Sequence, residues 1–562
     1  MLFQHTLLKS PIWIFIIFII LRVTLLKFGL PFILHPDEVY IIKDPFKLAN
    51  NYSNFIFNNP LNITYYFHLI WYGILFILGY VFSFWNGLQE FKGQLAIESP
   101  IIIIWGRLLS LILSVTANVV LFSLIKKISS IKFIQWIFLL TIMFNPFELI
   151  SNTWIKYDPY VYLMISIILY NMYVYMVLEN FGFRKRLYFL IFIGLAVRID
   201  LIIALVALVM YDIAKLSSAN IISYVHKNWV LLFKGVLIFL LITLEPLRYW
   251  YNWNNLKLEG NKIVKPFWEV ILSKIFTNNL DTSLEKLFVM NSYVYIIQFF
   301  LFCLGPLSFY FFFISVWKRK KIRPFFTMFV INSIILLIFP LNSAHYFLIN
   351  SIIVIVIVFY EITHYDLKKS RYFLIINAIW ITSISIVLYF TVVITNDPRI
   401  EARNFLLGIT NYEDLIGVEN MINPGMCIPL DEKKSVLKSK AMFVRETLKG
   451  SGLTFDIKAE RVNDKNARKL IGICNNYDWG IEGVNRKWYI RKEDIQSINQ
   501  AGLDYFVTTR NYDNNLNSNY KDFLKKKFTL IAKFEPFIFD PRVDIITCKE
   551  SFLTPAYIWE KK

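Results

Sequence analysis

A succession of long apolar runs, spaced by short basic clusters, constrains this chain more than any other feature. The first run covers 11–34. Others follow at about 66–86, 100–125, 133–150, 159–179, 187–214, 228–245, 293–317, 325–341, 346–362 and 372–395. A helix of ~20 apolar residues crosses the ~30 Å hydrocarbon core of a bilayer. Composition agrees: 56% of residues are apolar and 18% are charged, against roughly 25% charged in a soluble domain. Disorder, a collagen-like fibre, a small disulfide scaffold and a string of soluble domains are excluded. The expected fold class is a polytopic α-helical membrane protein with about ten to eleven helical segments in 1–395. A soluble α/β domain is expected in 396–562.

The run 11–34 is longer than the apolar core of a signal peptide, and no small-residue cleavage site follows it. It therefore reads as an uncleaved transmembrane helix. The net charge of +19 invites a nucleic-acid reading. The basic residues instead cluster between apolar runs, the habit of cytoplasmic loops, so no nucleic-acid partner is expected. The clusters are Lys126/Lys127/Lys132, 184–186, Lys215/Lys227, 318–323 and Lys368/Lys369/Arg371. All fall on one side if 66–86 lies outside the bilayer or dips into it, and if 187–214 is a hairpin of two half-helices broken at Arg198-Ile199-Asp200. A charged pair at mid-membrane is expensive, so a tip there implies a buried or water-filled depth. With this parity, 35–65, 151–158, 246–292, 342–345 and the tail from Asn396 all lie outside.

The tail turns polar. Residues 501–509, AGLDYFVTT, read as a turn and a strand, and 528–534, FTLIAKF, as a second strand. Helices are expected at 442–447 and 521–526. Cys303 lies in an apolar run, while Cys427, Cys474 and Cys548 lie in the tail. Three tail cysteines allow one bridge and a free thiol, or no bridge.

Several polar residues interrupt this pattern. His35-Pro36-Asp37-Glu38 follows the first run. It reads either as a solvated acidic turn or as a general base or cation ligand at the membrane face. Lys156-Tyr157-Asp158-Pro159 opens the run 159–179. Asp158 reads either as a helix cap before a first-turn proline or as an acid paired with Lys156 for a phosphate-bearing substrate. Arg107 either snorkels to the interface or meets an anionic substrate. Arg198 and Asp200 are a structural ion pair or site residues. His345-Tyr346 opens another helix, and a histidine there is structural or substrate-binding. Arg248 with Tyr249 and Trp250 suits an interface anchor. Asn51 and Asn62 sit in glycosylation acceptor patterns. There is no phosphate-binding glycine loop, no HExxH and no Cys/His metal spacing, so an ATP-driven pump or a nucleotide-sugar site has no sequence support.

The motifs together resemble a known family. HPDEVY after the first helix is similar to the acidic motif of the large integral-membrane glycosyltransferases of the C fold. WGRLLSLILSVTANVVLFSL (105–122), WIKYDPYVYLMISIILY (154–170), IGLAVRIDLIIAL (193–205), AHYFLINSIIVIVI (344–357) and GLDYFVTT in the tail resemble later elements of that family. The likeness is to the glycosyltransferase family 39, protein O-mannosyltransferase-like and aminoarabinose-transferase group. The chain departs from it at His345, where an arginine is usual, and near Arg198, where a lysine is usual.

The resemblance implies a polyprenyl-phosphate sugar donor, a glycan, lipid or protein acceptor, and inversion at the outer face of the membrane. That membrane is the plasma membrane in a prokaryote or the endoplasmic reticulum in a eukaryote. It implies Asp37 as base, Glu38 as its orienting partner and Asp158 as a second acid. Lys156 and Arg107 offset phosphate charge, and His35, Arg198, His345 and Tyr346 line the substrate. It leaves room for a divalent cation on Asp37 and Asp158. The alternative from another class is a transporter or flippase of lipid-linked glycans, for which internal repeats are expected and none is visible. A third is a non-catalytic membrane scaffold.

Overall fold

The computed structural model describes residues 11–27, 38, 41–42, 45–46, 63–96, 99–215, 228–243, 304–338, 347–365, 367–394, 398–411, 413–419, 469–474, 489–491, 495–508, 518–535 and 556–562. The chain divides into two compact units. One comprises Met1–Leu26, Asn51–Ile70 and Arg107–Val387, and the other Lys27–Asn50, Trp71–Gly106 and Leu388–Lys562. Each apolar run of the sequence contains helix in its described part. Among the described residues, three helical stretches are long and apolar enough to cross a membrane: Thr64–Val81, Pro100–Ile128 and Asp158–Val177. The chain is an integral-membrane protein.

In order, the first helices are α1 (Ile12–Leu25), α2 (Thr64–Val81), α3 (Leu88–Ala96) and α4 (Pro100–Ile128). The run 133–150 is not one helix. It splits into α5 (Lys132–Met143) and α6 (Pro146–Asn152). Pro146 has no N–H to continue α5, and the Asn145 side chain accepts the Phe147 N–H at 2.8 Å to start α6. Next, α7 (Asp158–Met172) runs into a π-helical turn, Tyr173–Val177.

The run 187–214 is broken where the charged pair in the sequence predicts. Helix α8 (Phe183–Val197) stops at Arg198, whose backbone is extended, and α9 (Ile202–Lys215) follows a 3-10 turn at Ile199–Leu201. The far ends of the pair meet: Arg184 Nε donates to Asp212 Oδ2 at 2.8 Å, as does the Tyr188 hydroxyl at 3.0 Å. A half-depth tip is corrected, however. Arg198 reaches Asp158, the first residue of α7, while the Tyr211 hydroxyl of α9 donates to Met176 O at 3.1 Å at the other end of that stretch. The hairpin thus runs the length of α7. Its first arm starts at Phe183, before the apolar run, because Arg184 finds a carboxylate there.

Helices α10 (Asn228–Thr243), α11 (Pro306–Lys318), α12 (Arg323–Ile338), α13 (Leu348–Ile362) and α14 (Leu367–Ile394) complete the described membrane segments. Every residue of α13 is buried, as expected of a helix apolar all round. It packs against α5, α6, α7, α11 and α12. Glu179 bonds Lys215 at 3.3 Å and Lys321 at 3.6 Å, and Arg319 pairs with Glu361 at 3.0 Å. Three of the basic clusters are therefore gathered at the end of α7 opposite Asp158. The Arg371 guanidinium lies 5.1 Å over the Phe133 ring, which joins the last cluster to the one at Lys132. A single basic side requires this gathering.

In the second unit Trp71 and Trp105 stack at 4.6 Å, and each indole N–H donates to the other's carbonyl, at 2.8 and 2.9 Å. This pins α2 to the first turns of α4. After α15 (Pro398–Ile409) come β1 (Leu415–Glu419), β2 (Lys469–Cys474), β3 (Tyr489–Arg491), α16 (Ile495–Gln500), β4 (Tyr505–Thr508), α17 (Ser518–Lys527), β5 (Phe528–Phe534) and β6 (Ala556–Lys561). The sheet order is β3-β2-β1-β4-β6-β5. The first four strands are parallel, and β6 runs antiparallel to β4 and β5. Val507, Ala556 and Ile558 face α15, and Phe506, Tyr557 and Trp559 face α16 and α17. The expected turn at Gly502, with φ +68, leads into β4. The helix expected at 521–526 lies within α17, and the one at 442–447 lies outside the described residues.

Candidate active site

The site is built around the first turn of α7. Proline as the second residue suits a helix start, but of the two readings of Asp158 the cap is not made. The cap position belongs to Tyr157, with no side-chain cap bond. The buried Asp158 carboxylate instead accepts from Arg198 Nη1 at 2.7 Å. Arg198 also holds Asp200, at 2.6 Å from its Nη2. One guanidinium is thus clamped between two carboxylates, a use of the arginine fork that lysine does not match. The charge of the buried Lys156 also acts on Asp158.

The turn preceding α7 is held from α4. The fully buried Arg107 lies 4.7 Å over the Trp154 ring and donates to Leu26 O at 3.0 Å. Ser110 Oγ donates to Trp154 O at 2.8 Å. The start of α2 arrives at the same place: Tyr157 OH donates to Tyr65 OH at 2.8 Å, and Ile63 N–H to Ala196 O at 2.9 Å. His68 packs edge-on to Tyr160 at 5.5 Å. Arg107 therefore does not snorkel. It is a buried tie between the end of α1, α4 and the turn before α7.

Of the residues expected in the site, Lys156, Asp158 and Arg198 come together, and Arg107 joins them through Trp154. Glu38 is fully buried in the second unit. His35, Asp37, His345 and Tyr346 lie outside the described residues, as do Arg248, Asn51 and Asn62. Among the described residues no three of His, Cys, Asp or Glu converge on a metal position.

A second buried charge cluster was not anticipated from the sequence: Arg22 of α1 with Glu148 of α6 at 3.7 Å. The signal was present, as one arginine in the first apolar run and one glutamate in the fourth. Ionisable residues within such runs are rare and face the protein interior.

No protein-family model matches the chain, and no curated protein matches it in sequence. Among solved structures, the chain is similar to ArnT from Cupriavidus metallidurans, in a crystal structure bound to undecaprenyl phosphate. The match covers 98% of each chain, with a TM-score of 0.44 and 10% sequence identity.

Proposed function

We propose that the protein is a membrane glycosyltransferase of the C fold, which moves a sugar from a polyprenyl-phosphate donor to an acceptor hydroxyl at the outer face of the membrane. One observation carries the reading. Three motifs that resemble the family, distant in sequence, converge: Arg107 of WGR covers Trp154 of WIKYDP, and Arg198 of GLAVRID clamps Asp158 of the same segment. The gathering of acid and base side chains lies at the end of α7 away from the basic clusters, where a lipid phosphate at the interface meets it.

In this reaction the acceptor oxygen attacks the anomeric carbon from the face opposite the phosphate. The bond from that carbon to the phosphate oxygen breaks, the configuration inverts, and the acceptor proton passes to the Asp37 carboxylate. Glu38 orients Asp37. The leaving polyprenyl phosphate gains a negative charge, which Lys156 and Arg107 offset in a water-poor site where such stabilisation is strongest. Asp158 and Asp200 hold Arg198 fixed, so that the hairpin tip forms a rigid wall of the site. His35, His345 and Tyr346 complete the substrate contacts. A hexose such as mannose is the sugar class proposed, and a glycan, lipid or protein hydroxyl the acceptor.

The test uses purified protein in proteoliposomes with a panel of polyprenyl-phosphate sugars. Consumption of one donor with release of free polyprenyl phosphate is expected. Movement of an intact donor between leaflets, with no release, contradicts transfer and favours the flippase alternative.

A further inference from the structure

The turn between α2 and α3, within the second unit, presents an apolar tip. Val81 and Phe82 are each 67% exposed, and Phe84 is 64% exposed. Ile77, Leu78 and Tyr80 of the last α2 turn are exposed as well, and α2 carries no Asp, Glu, Lys or Arg. A single exposed apolar residue says little. Here six fall within eight positions, interrupted only by Gly79 and Ser83.

The backbone fixes this tip. Ser83 lies in the left-handed region at φ 58, a conformation that costs a residue with a Cβ. The Phe84 N–H reaches back to Gly79 O at 2.7 Å, a helix stop with a left-handed residue after the last turn. Trp85 then folds under the turn. Its indole N–H donates to Phe76 O at 2.9 Å, and its ring occupies the space a Cβ on Gly79 would need. Phe91 of α3 closes on Phe76 at 5.4 Å and on Trp85 at 5.0 Å. The inside of the hairpin is filled by these rings, and Phe82 and Phe84 are turned outward.

Shape and chemistry indicate what covers the tip. With 3.6 residues per turn, Ile77, Leu78, Tyr80 and Val81 spread over about 160° of the helix end. A protein partner meets so convex a surface only with a matching cavity, whereas lipid meets it from every direction. The chain is an integral-membrane protein, and the tip continues the exposed, uncharged face of α2. A polar boundary follows at once. The Asn86 N–H and side-chain amide donate to Glu90 Oε2 at 2.9 and 3.2 Å, and Gln89 and Glu90 are exposed. Aromatic and apolar side chains beside a polar helix face mark a segment seated at the membrane interface.

We propose that the 80–84 tip is a membrane wedge. The Val81, Phe82 and Phe84 side chains lie among the acyl chains just below the lipid headgroups, and Gln89 and Glu90 stay on the water side. The unit that carries the β-sheet thereby holds the bilayer at this hairpin. The wedge does not depend on the glycosyl-transfer reading.

The experiment uses the full chain in phosphatidylcholine–phosphatidylglycerol vesicles, with the four native cysteines replaced by serine. Nitroxide labels are placed singly on Val81→Cys, Phe82→Cys and Gln89→Cys, all exposed positions. Collision with oxygen, which concentrates in lipid, is compared with collision with a water-soluble nickel complex. The oxygen-to-nickel ratio is expected to be severalfold higher at Val81→Cys and Phe82→Cys than at Gln89→Cys. Equal ratios, with nickel reaching all three labels, overturn the wedge. So does a tip label immobilised and shielded from both reagents, which means that a protein partner or a second copy covers it. The wild-type chain supplies a check free of any variant. In vesicles of phospholipid with a photoactivatable diazirine on the acyl chain, adducts are expected within 80–84 and not at Gln89 or Glu90. Adducts absent from the tip overturn the proposal.

Discussion

Arg198 and Asp158 stand forty positions apart in sequence and 2.7 Å apart in the fold. The pair closes the tip of the α8–α9 hairpin onto the first turn of α7 and takes up a carboxylate that the local sequence offers as a helix cap. It joins two segments that the proposed chemistry needs side by side.

Removing the guanidinium leaves Asp158 and Asp200 facing each other without their shared cation. Breaking a buried pair from one side costs about 3–5 kcal/mol. Arg198→Met is therefore expected to lower the thermal unfolding midpoint in detergent markedly. Arg198→Lys, with the charge but without the fork, is expected to fall between that variant and wild type. Equal midpoints for all three proteins would show that the clamp does not hold the hairpin.

Gly305 offers a second check, on the packing of α11 against α14. Its φ of +78 and ψ of 149 lie where only glycine sits without strain, and other residues there cost about 1–3 kcal/mol. A Cβ would also collide with the Asn377 side chain, whose amide donates to Leu304 O at 3.0 Å. Gly305→Ala is expected to destabilise through both effects. Retention of the wild-type unfolding midpoint would remove this turn from the framework.

Much of the architecture was legible in apolar run lengths. The break at Arg198 was legible too, because a charged pair in the middle of an apolar run does not fit a straight crossing through hydrocarbon. The Asn145-Pro146 break carried a signal that run length overrode. Asp158 shows a different limit. Local spacing allows a cap as readily as a site acid, and only a partner from the α8–α9 hairpin tip takes up the carboxylate. Arg22 and Glu148 were visible as charges in apolar runs, but nothing in spacing pairs one with the other. In the tail, β4 and β5 were readable from turn chemistry and apolar content. Strand β6, buried along Ala556–Trp559 on both faces, lacks the alternation that marks a half-exposed strand.

The membrane sidedness can be checked at two exposed positions. Lys321, beside Glu179, belongs to the basic end, and Asn411 follows α15 in the second unit. In intact cells, a membrane-impermeant thiol reagent is expected to label Asn411→Cys in a background without native cysteines. Lys321→Cys is expected to react only after permeabilisation. The reverse pattern would invert the topology and move the proposed site to the cytoplasmic face.

The central claim is that a carboxylate in the HPDE segment drives transfer from a lipid-phosphate sugar. Its most direct test is single-turnover transfer by wild type and Asp37→Asn in matched proteoliposomes, reading sugar on the acceptor and free polyprenyl phosphate together. A general base contributes about 10²–10⁴-fold, so Asp37→Asn is expected to lose at least a hundredfold in rate while donor binding persists. Transfer by Asp37→Asn at the wild-type rate would contradict the account.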